Sequence, residues 1–281
     1  MGVNYRPIED ARIADIACCP GGLELEGKEF LGRIDQVEVW HRRMFTLGLR
    51  GVVSYEDGRP RGFAEYMPAE TAPMPIDAEG AAVLLCYHWA GTAAEDPEHL
   101  IQEKRLVEHV IAMARPGFRG MAALAWDHPI HFPIALLEGL GFREVDRDGP
   151  VALMWLPFRS EGQLPKRVPT KLRPQDLSRS GMLAVDVASS ARCPYSLHHA
   201  ARIKRLAARH PQAHRISLNE YVIDSHADAR TFAASPWDWG WVYFNAEAVL
   251  PFGLPDEKIT EHMSSKIAKI PSADSSHVDS G

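Results

Sequence analysis

Apolar and polar positions change their spacing several times along this 281-residue chain, and each change marks an element. In RGVVSYEDGRPRGFAEYMP, Val52, Val53 and Tyr55 lead into Asp57-Gly58, and Phe63, Glu65 and Tyr66 follow. An Asp-Gly pair between two β-prone runs predicts an antiparallel hairpin, because glycine accepts the positive φ of a tight turn. The run AAVLLCYHW, Ala81 to Trp89, predicts a central strand covered on both faces. Asp96-Pro97-Glu98 opens a helix, with Asp96 as cap, Pro97 lacking an N–H to leave unpaired, and Glu98 complementing the dipole. Leu100, Val107, Val110, Ile111 and Ala114 give that helix a buried face until Pro116-Gly117 stops it. Gly120 to Trp126 reads as a strand, Pro133 to Leu140 as a short helix ended by Gly141, and Phe142 to Pro157 as two strands turning at Asp148-Gly149.

Residues 159–181 break the alternation. Pro165, Pro169 and Pro174 interrupt a polar stretch with six Lys or Arg against Glu161 and Asp176, which predicts a linker or wrapping arm. Beyond it, Met182 to Val187, Arg215 to Val222 and Trp241 to Asn245 read as strands and Pro194 to Arg209 as an amphipathic helix. The expected organisation is a first α/β domain over 1–158, the linker over 159–181, a smaller α/β domain over 182–262 and a flexible tail over 263–281.

Composition narrows the function classes. A chain 46% hydrophobic and 24% charged buries a real core, which excludes wholesale disorder. Its net charge of −6 argues against a nucleic-acid binder, which needs surplus basic groups. No run reaches eighteen apolar residues and the N-terminus carries no leader pattern, so the cytoplasm is the expected compartment and no membrane is expected as partner. Cys18, Cys19, Cys86 and Cys193 are too few and scattered for a disulfide framework. Without a CxxC pair no metal site is expected, and His198-His199 read as polar surface. Cys193-Pro194-Tyr195-Ser196 sits at a helix start, where free amides and the dipole favour a low-pKa thiol; Ser196 stands where a resolving cysteine would, so Cys193 is a redox candidate without a dithiol cycle at this motif.

The order of hairpin, buried strand, amphipathic helix, strand and short helix, closing on LLEGLGFREV, resembles the GNAT superfamily of N-acyltransferases over roughly Tyr5 to Phe158. From Cys193 onward, CPYS, its helix and WGWVYFNAEAVLPFG resemble the thioredoxin-like, YoaP-like domain that follows some GNAT domains. The resemblance implies an α/β fold with a mixed sheet whose central strands splay, plus a smaller thioredoxin-like domain. It further implies acetyl-CoA or another acyl-CoA as co-substrate and a small-molecule amine as acceptor. The pantetheine arm would add to the edge formed by Cys86, Tyr87, His88 and Trp89, with Gly91 and Thr92 in the phosphate loop. The chain departs from the family pattern at two places. The cradle glycines fall on Ile101 and Glu103, and the usual acid tyrosine falls on Leu137. Tyr87, His88, Glu65 and Asp127 are the substitute catalytic candidates. A catalytically silent GNAT-fold sensor and a thiol or soft-metal protein centred on Cys193 are the other two readings.

Overall fold

The computed structural model describes residues 3–17, 19, 33–90, 92, 96–127, 132–149, 151–160, 162–169, 174–232, 242–249 and 254–271. The first unit comprises β1 (Asn4–Pro7), α1 (Ile13–Ala17), α2 (Ile34–Thr46), β2 (Arg50–Glu56), β3 (Arg59–Pro68), β4 (Ile76–Asp77), β5 (Ala82–Trp89), α3 (Pro97–Ala114), β6 (Gly120–Trp126), α4 (Ile134–Glu138), β7 (Arg143–Asp148) and β8 (Val151–Pro157). After β9 (Lys166–Arg167) come β10 (Leu183–Ser189), α5 (Pro194–Arg209), β11 (Ile216–Val222), α6 (His226–Phe232), β12 (Val242–Phe244), β13 (Glu247–Val249) and α7 (Asp256–Ala268).

Two larger sheets and the two-stranded β4-β9 pair organise these elements, giving the mixed α/β architecture with a second, smaller α/β unit. The larger has seven strands in the order β1-β2-β3-β5-β6-β8-β7; the smaller has four, β11-β10-β12-β13. The predicted hairpin is present, with Asp57 and Gly58 both at positive φ between β2 and β3. Asp96 caps α3 through a 2.8 Å bond from the Glu98 N–H, and Pro97 takes the first helical position. Gly120 has no room for a side chain, since a Cβ there would lie 2.2 Å from the Trp155 ring. The exposed edge strand β7 carries Arg143, Glu144, Asp146, Arg147 and Asp148, charges that discourage edge pairing with another chain.

The feature that positions the site lies at β5 and β6. These parallel strands pair only at Ala82 with Met121 and Val83 with Ala122, although β5 runs on to Trp89 and β6 to Trp126. The cause is on the other side of β5. Its register with β3 shifts between Glu65–Cys86 and Tyr66–Leu84, leaving Leu85 as an extra residue. Such a bulge bends and twists its strand, so β5 leaves β6 just beyond the last paired residue.

Two expectations change. Leu100 is 47% exposed, while Val107, Val110, Ile111 and Ala114 form the buried face of α3 as expected, joined by His99, Gln102, Glu103 and Leu106. The second unit does not end near His262, because α7 continues to Ala268 and buries Met263 and Ile267 against Leu183, Val185 and Phe244. Within the stretch expected to be a linker or wrapping arm, β9 pairs with β4 of the first unit and Arg167 reaches Asp148 at 3.2 Å. Among the described residues no helix is long and apolar enough to cross a membrane.

Candidate active site

Successive side chains of β5 point to opposite faces of the sheet, so its free end presents two different surfaces. On one face Cys86 stands opposite Glu65 of β3 and His88 opposite Phe63. The helix α2 covers this face because Val37, Trp40, His41 and Met44 recur at helical spacing and are buried. His41 is therefore a polar residue inside an apolar stripe. Its Nδ1 lies 2.8 Å from the Val37 carbonyl and its Nε2 3.1 Å from Glu65 Oε2, with both side chains at most 2% exposed. A carbonyl can only accept, so Nδ1 carries a proton. One proton is then shared between Nε2 and Oε2, as imidazolium with carboxylate or imidazole with carboxylic acid. Glu65 and Tyr66 are neighbours on β3 that face opposite sides of the sheet, and both are buried, because the sheet is covered on both sides there.

The second unit reaches this face. Asp224 accepts hydrogen bonds at its carbonyl from Trp40 Nε1 and Arg43 Nη2, both at 2.9 Å. Its carboxylate accepts from Ala191 N at 2.7 Å and Ser190 Oγ at 3.2 Å. The loop so held carries Arg192, buried with Nη1 3.4 Å from Met74 Sδ, and Cys193, the cap residue of α5. Tyr195 and Cys86 pack on the same apolar cluster of Ile8, Ile16, Cys19, Val53 and Phe63.

Cys193 does not have the lowered pKa expected of it. Burial pushes the thiol up; the amides of Ser196 and Tyr195 and the charge of Arg192 pull the other way but do not win. Burial and then the Glu65 charge push the Cys86 thiol up as well. Ser196, in place of a resolving cysteine, is fully buried and accepts from Ser190 N at 2.9 Å.

The other face of β5 carries Tyr87 and Trp89 towards α3. The Tyr87 ring lies 4.4 Å from that of Phe132, just before α4. Burial, followed by the charge of Glu103, keeps its phenol protonated. His99 Nδ1 approaches the Thr92 carbonyl at 3.2 Å and Nε2 approaches Glu103 Oε1 at 3.4 Å, and the bond to Glu103 raises the His99 pKa.

Of the residues singled out from sequence, Glu65, Cys86 and Cys193 gather on the α2 face, and Tyr87, Trp89 and Thr92 on the α3 face. Asp127 joins neither: its side chain is 78% exposed and drawn towards Arg147 on β7. Leu137, where a tyrosine was sought, is fully buried. His199, expected at the surface, is 4% exposed on the buried face of α5. Gly91, Cys18, His128, His131, Trp237, Trp239 and Trp241 lie outside the described residues. His41, His99, Glu103 and Arg192 escaped sequence reading. The available signal was charge and imidazole at core-facing helical positions, Val37-Trp40-His41-Met44 in α2 and His99-Glu103-Leu106 in α3.

No family model matches the sequence, and no curated protein matches it. Among solved structures, a GNAT family acetyltransferase from Brucella melitensis in complex with acetyl-CoA is 15% identical, covering 59% of this chain and 94% of its own, at a TM-score of 0.40. The PaiA N-acetyltransferase from Thermoplasma acidophilum in complex with coenzyme A is 13% identical over 56% of this chain and 99% of its own, with a TM-score of 0.40. An N-acetyltransferase from Staphylococcus aureus Mu50 is 13% identical over 57% of this chain and 100% of its own, with a TM-score of 0.41. Likeness at this level carries no inference by itself; the strand order and the parting of β5 from β6 stand on their own.

Proposed function

We propose that the chain transfers an acyl group from acetyl-CoA or another acyl-CoA to the amine of a small molecule. The observation that carries this reading is the parting of β5 and β6 after Val83 and Ala122, which frees the backbone edge of β5 from Leu84 to Trp89. A thioester laid along that edge meets strand N–H groups, and such donors stabilise the oxyanion that forms when an amine attacks the carbonyl. The amine approaches from the α2 face. Glu65 is the base: Oε2 shares its proton with His41, and Oε1 takes the proton that the attacking nitrogen loses. The acyl C–S bond then breaks and the thiolate leaves. With a reference thiol pKa of about 8.5, a thiolate is a weak enough base to leave and take its proton from water, which fits a buried leucine at position 137.

The second unit supplies the wall of the acceptor site through Arg192 and Cys193. Its strand order β11-β10-β12-β13, with β10 and β11 parallel across α5, α6 between β11 and β12, and a β12–β13 hairpin followed by α7, supports a thioredoxin-like, YoaP-like assignment. The elevated Cys193 thiol gives no support to a redox role. Thiol release from acetyl-CoA, measured with a panel of small primary amines, tests the proposal: at least one amine stimulates release, and Glu65→Gln lowers that rate about 100-fold or more. No stimulation by any amine, with a folded chain that also fails to bind coenzyme A, would overturn it.

A further inference from the structure

Arg192 is a cation of the second unit buried against the first, with only 8% of its surface exposed. Its Nη1 lies 3.4 Å from Sδ of Met74, in the connection between β3 and β4, so the side chain crosses from one unit to the other. The backbone that aims it is fixed. The Arg192 N–H donates to Ser190 Oγ at 3.2 Å, and the Asp224 carboxylate holds Ser190 and Ala191. Cys193 follows, and Tyr195 packs with Cys86 on one apolar cluster, which brings this loop to the place where Cys86 stands opposite Glu65.

The two thiols mark the ground between two charges. Burial dominates the environment of both; beyond it, the Glu65 carboxylate pushes each thiol up and the Arg192 guanidinium pulls each down. Cys86 and Cys193 are themselves only half-buried, so the ground between the charges is not sealed. The Glu65–His41 pair is neutral as a whole, because one proton is shared across its 3.1 Å contact, whereas a guanidinium stays charged at any working pH. The α2 face therefore offers an incoming molecule one end that takes a proton and one end that is positive. A simple alkylammonium is repelled by the positive end. A molecule carrying both an amine and a carboxylate suits both ends, and enters only one way round. The planar guanidinium matches a carboxylate with two parallel N–H···O bonds, which are strong where water is excluded.

We infer that the acceptor is an amino acid, its amine directed to Glu65 and its carboxylate to Arg192. This rests on the acyl-transfer reading and names the substrate class of that same site, with Arg192 as the residue that sets specificity.

Thiol release from acetyl-CoA by the full chain tests it, comparing amino acids with the amines left when the carboxylate is removed: alanine with ethylamine, leucine with isopentylamine, phenylalanine with phenethylamine. For at least one pair, kcat/KM for the amino acid should exceed that for its amine by about 100-fold, the worth of a charge-assisted pair of hydrogen bonds. Arg192→Gln should narrow that ratio at least about tenfold, chiefly through KM. Arg192→Lys, which keeps the charge and loses the planar fork, should restore part of it. Unchanged melting temperatures exclude a folding defect; should Arg192→Gln fail to fold, the parent chain's ratio and Arg192→Lys decide. If the amines match or exceed the amino acids, or folded Arg192→Gln keeps the full preference, the inference is overturned while acyl transfer stands. The same holds if no amino acid stimulates release from a chain that binds coenzyme A. If neither class stimulates release and the folded chain does not bind coenzyme A, the acyl-transfer reading fails and takes the inference with it.

Discussion

Two histidine–glutamate pairs flank β5, one on each face, and they are not equivalent. His41 and Glu65 meet at 3.1 Å from different elements, with thiols and a guanidinium of the second unit close by. His99 and Glu103 meet at 3.4 Å within one helix, one turn apart, against unsatisfied neutral donors. A pair built across elements holds those elements in place and is costly to break. A pair within a helix is geometrically free and sets the local proton affinity. The same two residue types thus give a pair bridging two elements on one face and a pair within one helix on the other.

The sharpest way to break this comparison is to remove the carboxylates. Glu65→Ala leaves His41 buried without its proton partner, and stability should fall by about 3 kcal/mol. Glu103→Ala, losing a longer contact at a less enclosed position, should fall by about 1 kcal/mol. Urea unfolding midpoints decide, and equal losses would erase the distinction. Next in size is Gly62→Ala. A Cβ there would lie 2.5 Å from the His88 carbonyl and 2.9 Å from Leu106, pressing on the α3 side, and should cost about 2 kcal/mol by overpacking. The rate of Cys86 alkylation, a report on the α2 side, should stay within twofold of the parent.

A third histidine sharpens the contrast, because its neighbours are cations. Burial, with His198 and Arg202 beside it, pushes His199 down to about 3 from 6.5. The unfolded chain therefore takes up a proton first as pH falls. Stability present above pH 6.5 is lost as pH drops towards about 3, at about 1.4 kcal/mol per pH unit within that window. His199→Phe should flatten this part of the stability profile. The smallest effect belongs to His99, whose pKa is raised from 6.5, so its contribution is complete below that value and disappears as pH rises through the raised one. Proton NMR should find His99 titrating above 6.5 and returning towards it in Glu103→Gln.

Most of the fold was legible because local signals and tertiary environment agree. Asp57-Gly58 turns a hairpin, Asp96-Pro97 starts a helix and the apolar run to Trp89 is the central strand. The bulge at Leu85 was not legible, since nothing in VLLCYHW distinguishes a bulged strand from a regular one; the mismatch is with β3. The site was half legible. Glu65, Tyr87 and Trp89 were found on strands expected to line the opening. His41, Glu103 and Arg192 were missed because helical periodicity treats a polar residue in an apolar stripe as noise. Asp127 differs for another reason: its place at a strand end suggested proximity, but its side chain is exposed and drawn towards a guanidinium on β7.

Asp224 has a practical consequence for dissection by truncation. Its main-chain oxygen terminates the Trp40 indole and its side chain terminates the Ser190–Ala191 backbone, so one residue serves both halves at once. A fragment ending near residue 160 would lose that oxygen, uncover the helix bearing His41 and flood the Glu65 carboxylate with solvent. Measurements on such a fragment would describe a wetter, looser α2 face than the whole chain forms.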